Sequence, residues 1–384
     1  MRNSRLITLT CYASFLALGM SGTLLGPTFQ SLASRFNMPL QDAGIFTALS
    51  FVGATLSAPV YGRLLDRIDV RYVLCGGTAL MGGGLLLLSV APTLGIGLLA
   101  TLLTGLGAGA LILAPNVVVI ALNPDNAAGA LNFLNVFFGI GAIVGPQLVS
   151  FALNHNNYAL AFRAAAIFLL LLVIPFGLSS VHIRRDDRGG SQPSLLWITL
   201  LPFAALNFIY VGTETGFGSW IFTQLTKVPH STEALATIAT SVFYAGLTSG
   251  RLAASLWSRH LTEKRLLVVS MIILGAGIAL LLGIPMLTPI SILSAFVVGL
   301  GCGPVSPTIM ALATNTYPAA RGTVLGMTSA FGGVGGATLI WLQGQVGGGQ
   351  NGGMIVPLIS AAVMLSIVLT IRPRTAVAAP QPQP

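Results

Sequence analysis

Twelve long apolar stretches, separated by short loops, make up nearly all of this 384-residue chain. A stretch of about twenty apolar residues is long enough to cross the hydrocarbon of a bilayer as a helix. A soluble protein of this size would need a charged exterior, yet only 7% of the residues are Asp, Glu, Lys or Arg. The pattern therefore predicts an all-α polytopic membrane protein with twelve transmembrane helices, surrounded by the lipid bilayer.

The predicted spans form two sets of six, separated by a charged segment. The first set is Leu6–Ala33, Asp42–Leu64, Tyr72–Val90, Leu94–Leu122, Ala127–Leu153 and Tyr158–Val181. The second set is Leu195–Leu225, Glu233–Trp257, Lys264–Pro285, Pro289–Asn315, Arg321–Val346 and Met354–Ile371. Residues 1–181 and 195–371 are therefore predicted as two six-helix bundles, joined by a cytoplasmic linker at 182–194. The Pro-, Ala- and Gln-rich residues 372–384 are predicted as a disordered cytoplasmic tail.

Basic charge is concentrated on one predicted side of the membrane. A cytoplasmic N-terminus places fourteen of the 18 basic residues on the cytoplasmic side and only Arg35, Arg163 and Lys227 on the other. This bias predicts a multi-pass cell-membrane protein with both termini in the cytoplasm. The lack of an N-x-S/T site is compatible with a bacterial inner membrane. The membrane topology explains the net charge of +9, so a nucleic-acid partner is not expected. The expected partners are the lipid bilayer and a small-molecule solute. The protein is expected to function as a monomer.

No cluster of residues predicts a cofactor, a metal site or an enzyme active centre. Cys11, Cys75 and Cys302 are isolated in apolar stretches, as is typical of buried small hydrophobic residues. The four histidines are scattered near loops and span ends, with no HExxH spacing and no Ser/His/Asp grouping. A channel is also disfavoured, because the chain shows no symmetric selectivity element.

Glu214 is the only carboxylate deep inside a predicted span. An embedded acid costs about 3 kcal/mol at mid-helix, so it should face a partner or a wet cavity. Intervals of three, four or seven place Asn207, Tyr210, Phe217 and Gln224 on the same face of the helix. This polar and aromatic face is predicted to form one wall of a solute cavity, with Asn207, Tyr210 and Gln224 as solute ligands. Two interpretations stay open: Glu214 is a solute ligand or proton-coupling site, or it is a structural acid paired between helices.

Arg251 is the only basic residue inside a predicted span. If both helices are straight, it lies about two turns nearer the cytoplasm than Glu214. Direct pairing would then require bending and the full reach of both side chains. A structural or gating role is therefore favoured for Arg251, with direct solute contact as the alternative.

Further polar residues occur inside the predicted spans, and they are candidates for the lining of a solute pathway. They are Asn116 in span four, Asn132 and Asn135 in span five, and Thr308 and Asn315 in span ten. Polar side chains also hold membrane helices together, at about 0.6–2 kcal/mol each, so each residue alone has a structural explanation. Together they favour a cavity for a neutral, hydroxyl-rich molecule.

The loop between the second and third spans carries a recognisable pattern. The residues that match the signature G-x-L-x-D-R-x-G-R-[RK] are Gly62, Leu64, Asp66, Arg67 and Arg71, whereas Asp69 stands where the signature has Gly. With the six-plus-six organisation, this segment resembles the major facilitator superfamily. Four patches resemble its fucose/glucose permease group of sugar:cation symporters: Asn135–Pro146, Tyr210–Trp220, Gly250–Arg259 and Gly301–Thr308.

This resemblance implies a fold and a function. It implies two six-helix bundles and a secondary transporter that works by alternating access around a midplane site. The permease group implies a monosaccharide or similar neutral polar solute as the cargo. Trp220, at the end of the seventh-span patch, is a further candidate for solute contact.

The resemblance further implies an inner gate at the signature loop. In the family, the acid at the position of Asp66 caps the cytoplasmic start of span eleven, which begins here near Arg321, and holds the gate shut. A carboxylate stabilises a helix amino terminus by about 0.3–1 kcal/mol when exposed. Gly62, Arg67 and Arg71 belong to the same predicted gate, and the two arginines are equally explained as topology anchors.

Two departures leave the energy source and the direction of transport open. Ile112 stands where the fucose permease pattern has an acid in span four, and span one has no carboxylate. Proton symport by that route is therefore not expected, and H+, Na+ or no coupling ion stay open. Gly141-x-x-x-Gly145-Pro146 resembles a motif of proton-driven drug exporters. The alternative function is thus proton-driven efflux of an amphipathic drug or metabolite.

Overall fold

The computed structural model describes residues 2–123, 127–179, 196–228, 231–257, 261–284, 288–316, 321–347 and 351–371. Every regular element within these ranges is a helix, which confirms the all-α prediction. The predicted linker at 182–194 and the predicted tail at 372–384 lie outside the described residues. The domain boundaries therefore stay predictions.

Fourteen α-helices and two short 3-10 turns are described. The helices before the predicted linker are α1 (Arg2–Gly22), α2 (Leu25–Arg35), α3 (Gly44–Arg67), α4 (Val70–Val90), α5 (Leu94–Leu122), α6 (Ala127–Asn154) and α7 (Ala159–Leu178). Those after it are α8 (Leu196–Leu225), α9 (Glu233–Trp257), α10 (Glu263–Gly283), α11 (Thr288–Cys302), α12 (Val305–Thr316), α13 (Arg321–Gly347) and α14 (Ile355–Thr370). The 3-10 turns are Leu40–Asp42 and Asn351–Met354.

Fourteen helices account for twelve spans because two predicted spans are broken. Helices α1 and α2 form span one and meet at an angle of 48°. At this break the Thr23 hydroxyl donates to the carbonyls of Gly19 and Met20, which gives these carbonyls a side-chain partner. Helices α11 and α12 form span ten and are separated by Gly303 and Pro304. Pro lacks an N–H and its ring clashes with the preceding turn, which explains why α11 ends there.

The helices pack as two bundles that meet along a limited set of helices. In the first bundle α4 packs against α5 and α7, α3 against α5, and α1 against α6. In the second bundle α8 packs against α13, α9 against α11, and α10 against α11 and α14. Between the bundles α3 contacts α13, α6 contacts α9, and α2 contacts α8. This is the predicted arrangement of two six-helix bundles.

Large apolar side chains lie on the outer surface of the bundles. The exposed fractions of Leu56, Ile174 and Leu178 are 63%, 61% and 71%. Soluble monomers rarely expose wide apolar surfaces of this kind. Within the described residues, seven helical segments are long and apolar enough to cross a membrane, one of them the pair α11–α12, and the bent pair α1–α2 makes an eighth span. The chain is therefore a multi-pass membrane protein.

Lys264 fastens the end of the last helix to the second bundle. Its ammonium group donates to the carbonyls of Leu369 and Ile371, at 3.0 and 2.8 Å. These carbonyls lie at the C-terminus of α14, where helical carbonyls lack partners and where a cation is favoured by the helix dipole.

We expect Lys264→Met to lower the free energy of unfolding by about 1–2 kcal/mol, since it removes two charge-assisted hydrogen bonds that are partly exposed to solvent. A thermal melt in detergent measures the effect as a lower midpoint. The matched control is Arg265→Met, at the exposed neighbouring position. Equal midpoints for the two variants would contradict a capping role for Lys264.

Candidate functional site

Glu214 and Arg251 lie inside membrane spans and face each other from two neighbouring helices. The Arg251 Nη2 of α9 lies 3.9 Å from the Glu214 Oε1 of α8, and the side chains are 31% and 16% exposed. The structure thus brings together two residues that straight helices were expected to hold about two turns apart. The separation is longer than a normal hydrogen bond, so the pair is in ionic contact and both groups can still bond to a water or a solute hydroxyl at their side.

Tyrosine hydroxyls and a helix break surround this ion pair. The Tyr210 hydroxyl donates to the Cys302 carbonyl at 2.9 Å and also interacts with Glu214. The Tyr244 hydroxyl of α9 lies within electrostatic range of the same carboxylate. Gly303 allows the break to pack closely on α9, because a Cβ there would lie 2.8 Å from the backbone nitrogen of Arg251. The break therefore adds the Cys302 carbonyl, a backbone hydrogen-bond acceptor, to the group formed by Glu214, Arg251, Tyr210 and Tyr244. We call this group the Glu214 cluster.

The ion pair is incompletely satisfied. The Arg251 Nε is buried and makes no hydrogen bond within the described part of the chain. An unsatisfied buried donor costs about 1–3 kcal/mol. Breaking a buried pair by removing one partner is costly as well, because the other charge stays behind. An arrangement with a spare donor can therefore exchange partners at a lower cost when a proton or a solute arrives.

Sequence reasoning missed Tyr244 and the break in span ten. Tyr244 precedes Arg251 by seven residues, which places both on one face of α9, so helical spacing was a usable signal. The dipeptide Gly303-Pro304 was a usable signal for the break. The proximity of the Cys302 carbonyl to Tyr210 had no local signal, since 92 residues separate the two.

The remaining residues of the predicted α8 face are buried against neighbouring helices. The Asn207 amide donates to the Thr328 carbonyl at 2.8 Å, and Ser306 donates to its Oδ1 at 3.2 Å. Phe217 and Gln224 are also buried. Asn207 thus joins α8 to α12 and α13 in this conformation. Solute contact by Asn207 and Gln224 stays a prediction.

The other predicted lining residues make bonds within their own helices. The Asn116 amide donates to Ile112 at 2.6 Å, the Asn135 amide to Leu131 at 2.9 Å, and the Thr308 hydroxyl to Pro304 at 2.6 Å. The side chains of Asn132 and Asn315 lie outside the described residues. In this conformation none of these three bonds connects to the Glu214 cluster.

The predicted inner gate has a local structure of its own at the start of α4. Asp69 is the N-cap residue of α4 and accepts from the Arg71 backbone nitrogen at 3.0 Å. The Arg71 guanidinium lies 3.6 Å from Asp69 and 4.7 Å from the centre of the Tyr72 ring. Asp69 thus replaces the glycine of the signature with a helix cap. Arg71 has a local structural partner, and its gating role stays a prediction.

The other described residues of the predicted gate show no contact that supports a gating role. A Cβ on Gly62 would meet nothing within 4 Å, and Arg67 is exposed. The side chains of Asp66 and Arg321 lie outside the described residues. The predicted cap of span eleven by Asp66 is therefore a prediction still.

The two bundles meet at the opposite end of the molecule, which we call the Asp42 end. Gln345 of α13 donates to the Asp42 carboxylate at 2.7 Å. The rings of Phe29 and Trp220 lie 4.9 Å apart, and the Trp220 indole donates to Ile340 at 3.0 Å. These contacts join α2 and the turn before α3 to α8 and α13.

Further backbone contacts and hydrogen bonds hold the two bundles together at and near the Asp42 end, and we call this set of contacts the closure. A Cβ on Gly26 would lie 2.6 Å from the Ser219 carbonyl oxygen, so α2 and α8 touch along their backbones. Gln147 of α6 donates to the Ser241 hydroxyl of α9 at 3.0 Å, and Ser241 donates to the Ile143 carbonyl at 2.7 Å. The structure is therefore that of a molecule closed at the Asp42 end. Trp220, predicted as a solute ligand, belongs to this closure.

We expect Asp42→Ala and Gln345→Ala each to favour opening of the Asp42 end by about 1–2 kcal/mol, or roughly five- to thirtyfold. The measurement is the distance between spin labels on Ser34→Cys and Thr232→Cys, with the native cysteines replaced by Ala. Because the residues share one bond, the double variant should show little more than either single variant. Gln41→Ala is the neighbouring control, and additive effects would contradict the bond's role.

Comparisons with known proteins agree with this architecture. The family model described as Major Facilitator Superfamily matches residues 11–337 and 203–384. The chain is 26% identical over 303 residues to the Sodium-dependent glucose transporter 1A of Mus musculus, covering 67% of this chain and 70% of the relative. It is 24% identical over 352 residues to the Glucose/mannose transporter GlcP of Bacillus subtilis, covering 87% and 86%.

A solved structure shows the same fold. The crystal structure of a D-xylose-proton symporter superimposes with a TM-score of 0.77, covering 94% of this chain and 96% of that one at 14% identity. The matching family and the shared fold are those of transporters, which confirms the prediction that the chain is not an enzyme. The chain belongs to the Major Facilitator Superfamily, and it is a multi-pass membrane transporter that moves a small solute by alternating access.

Proposed function

We propose that this transporter carries a monosaccharide or a similar neutral polar solute, and that Glu214 and Arg251 bind it. The observation that carries the proposal is the ion pair itself, 3.9 Å apart and partly exposed. One carboxylate and one guanidinium cancel in charge, so the site favours a neutral solute. Together with the partly exposed Tyr244 they offer donors, acceptors and an aromatic ring, which suit the hydroxyls and the C–H face of a sugar. Tyr210 is fully buried and supports the site through its bond to the Cys302 carbonyl. The names of the two relatives, which are glucose transporters, support the same class.

Cation coupling through Glu214 is the second part of the proposal. A proton on Glu214 would remove the negative partner of Arg251 and free the guanidinium for the solute, which links the two events. Sodium is the alternative ion, and the name of the mouse relative supports it. Among the described residues, Glu214 is the only carboxylate deep within a span, so it is the favoured site for either cation.

The proposed orientation follows from the charge bias of the loops. We propose that both termini lie in the cytoplasm, as the positive-inside rule favours, and that the membrane is a bacterial inner membrane. The Asp42 end would then face the periplasm, and this structure would be closed on that side. We propose a functional monomer, because the Glu214 cluster is built from one chain.

The exporter-like motif does not add support for drug efflux. A Cβ on Gly145 would lie 2.5 Å from the Met20 carbonyl oxygen, so the motif serves the close packing of α6 on α1. This packing requirement explains the glycine without reference to a cargo. Drug efflux is therefore not proposed as the function, and the transport test would reveal it.

Purified protein in liposomes provides that test. We expect uptake of radiolabelled D-glucose, competed by unlabelled monosaccharides, and accelerated by an inward gradient of H+ or Na+. Protein-free liposomes are the control. Extrusion of tetraphenylphosphonium without any glucose counterflow would overturn the proposal in favour of efflux. Glucose counterflow that no ion gradient accelerates would support the proposed cargo and contradict the proposed cation coupling.

A further inference from the structure

A cavity lies at the Asp42 end, on the far side of the closure from Glu214. Its volume is about 520 Å³, within the range typical of small-molecule sites. Along α8, Phe222 lines this cavity and lies eight residues beyond Glu214, or about 12 Å at 1.5 Å per residue. Trp220, in contact with Phe29, lies between the two positions. The closure therefore separates this outer cavity from the Glu214 cluster.

Polar side chains of one α2 face form the main wall of the outer cavity. The lining residues Pro27, Gln30, Ser31 and Ser34 recur at intervals of three and four, so they share one face of the helix. Gln30 and Ser34 are exposed. Polar groups at this depth of a span are costly when they face lipid and are satisfied when they face a wet cavity.

Arg35 holds this wall in place. Its Nε and Nη2 donate to the Ala91 carbonyl at 3.1 and 2.6 Å, and its Nη1 donates to the Tyr158 hydroxyl at 3.1 Å. Tyr158 also lines the cavity. Because its oxygen accepts from Arg35, its own proton is directed elsewhere and is available to a ligand. The wall is thus organised before any ligand arrives, which lowers the cost of binding.

The second bundle supplies the opposite wall. Phe222 of α8 and Glu233 at the start of α9 face the cavity, and Leu153 of α6 completes its apolar base. The lining therefore combines amide and hydroxyl groups, a carboxylate acceptor and an aromatic ring. This combination suits a small neutral molecule with several hydroxyls, for which the apolar base would pack against the C–H face.

We propose that the outer cavity is a second binding site for a monosaccharide-sized, hydroxyl-rich neutral solute, and that its occupancy holds the Asp42 end closed. Its ligand class rests on the proposed function. The walls come from both bundles, so a ligand that contacts both binds the closed conformation better than the open one. High concentrations of solute at this end therefore slow uptake, because they trap the transporter in the closed state.

The test measures equilibrium binding of radiolabelled D-glucose to the purified chain and uptake as a function of external glucose. The wild type should bind two glucose molecules per chain, and its uptake should fall at high glucose. Gln30→Leu/Ser34→Leu should weaken one site by about tenfold or more and abolish the inhibition. Glu214→Gln should weaken the other site. Ser366→Leu, an exposed serine on α14, is the matched control for added apolar surface.

The pattern of losses distinguishes the two proposals. A single site that is sensitive only to Glu214→Gln overturns the outer site and keeps the proposed function. A single site that is sensitive only to Gln30→Leu/Ser34→Leu supports the outer site and overturns the role of Glu214. Two sites with uptake that simply saturates overturn the inhibitory effect. No glucose binding in a correctly folded wild type overturns both.

Discussion

Glu214→Gln should reduce solute uptake by about ten- to hundredfold while the amount of folded protein in the membrane stays unchanged. The carboxylate faces Arg251 at 3.9 Å and is partly exposed, so it is placed to accept from a solute hydroxyl. Losing one charge-assisted hydrogen bond costs about 1.5–3 kcal/mol, which corresponds to this range. Uptake into liposomes, normalised to the monodisperse protein recovered by size exclusion, measures the effect.

A double variant separates a solute ligand from a structural acid. Glu214→Gln alone leaves the Arg251 charge without its partner, which is destabilising. Glu214→Gln/Arg251→Gln removes both charges and should recover thermal stability without recovering uptake. If uptake returned together with stability, Glu214 would be a structural partner of Arg251 and the binding role would be wrong. Glu263→Gln, at the start of α10, is the control for loss of an acid outside the cluster.

Gly26→Leu should abolish transport by preventing closure of the Asp42 end. The backbones of α2 and α8 touch at this position, where even a Cβ would lie 2.6 Å from the Ser219 carbonyl oxygen. A leucine cannot be accommodated unless the two helices move apart. Alternating access requires both closed states, so a transporter that cannot close one end cannot complete its cycle.

The matched control lies four residues earlier in the same span. A Cβ on Gly22 would meet nothing within 4 Å, so Gly22→Leu should transport normally. The distance between labels on Ser34→Cys and Thr232→Cys should lengthen in Gly26→Leu and stay unchanged in Gly22→Leu. Normal uptake by Gly26→Leu would show that α2 and α8 need not touch during the cycle.

Sequence reasoning identified Glu214 because the free-energy cost of an acid in lipid depends mainly on the residue and its depth. It failed on the partner of Glu214, since the distance to Arg251 depends on how α8, α9 and the break in span ten pack. Arg71 shows the reverse case. It was read as part of a gate through a family pattern, whereas Asp69, the residue that departs from the pattern, explains its position locally as a helix cap.

The closure at the Asp42 end was missed for a related reason. Asp42 reads as the start of a span, and Gln345 reads as a polar residue near the end of another, 303 positions away. Nothing in either neighbourhood indicates the other. The outer cavity was missed for the same reason, because its walls come from α2, α8 and α9, and α2 lies far from the other two in the sequence.

The amino-acid sequence by itself determined that lipid surrounds the protein, that the fold is helical, how many spans it has, and that one carboxylate lies deep within a span. Each of these follows from the transfer of short segments between water and lipid, which depends on local composition. Only the tertiary structure decided which residues pair, which end is closed and where the cavities lie. Those outcomes depend on a few ångströms of helix displacement, set by glycine contacts and helix breaks that act together across the whole molecule.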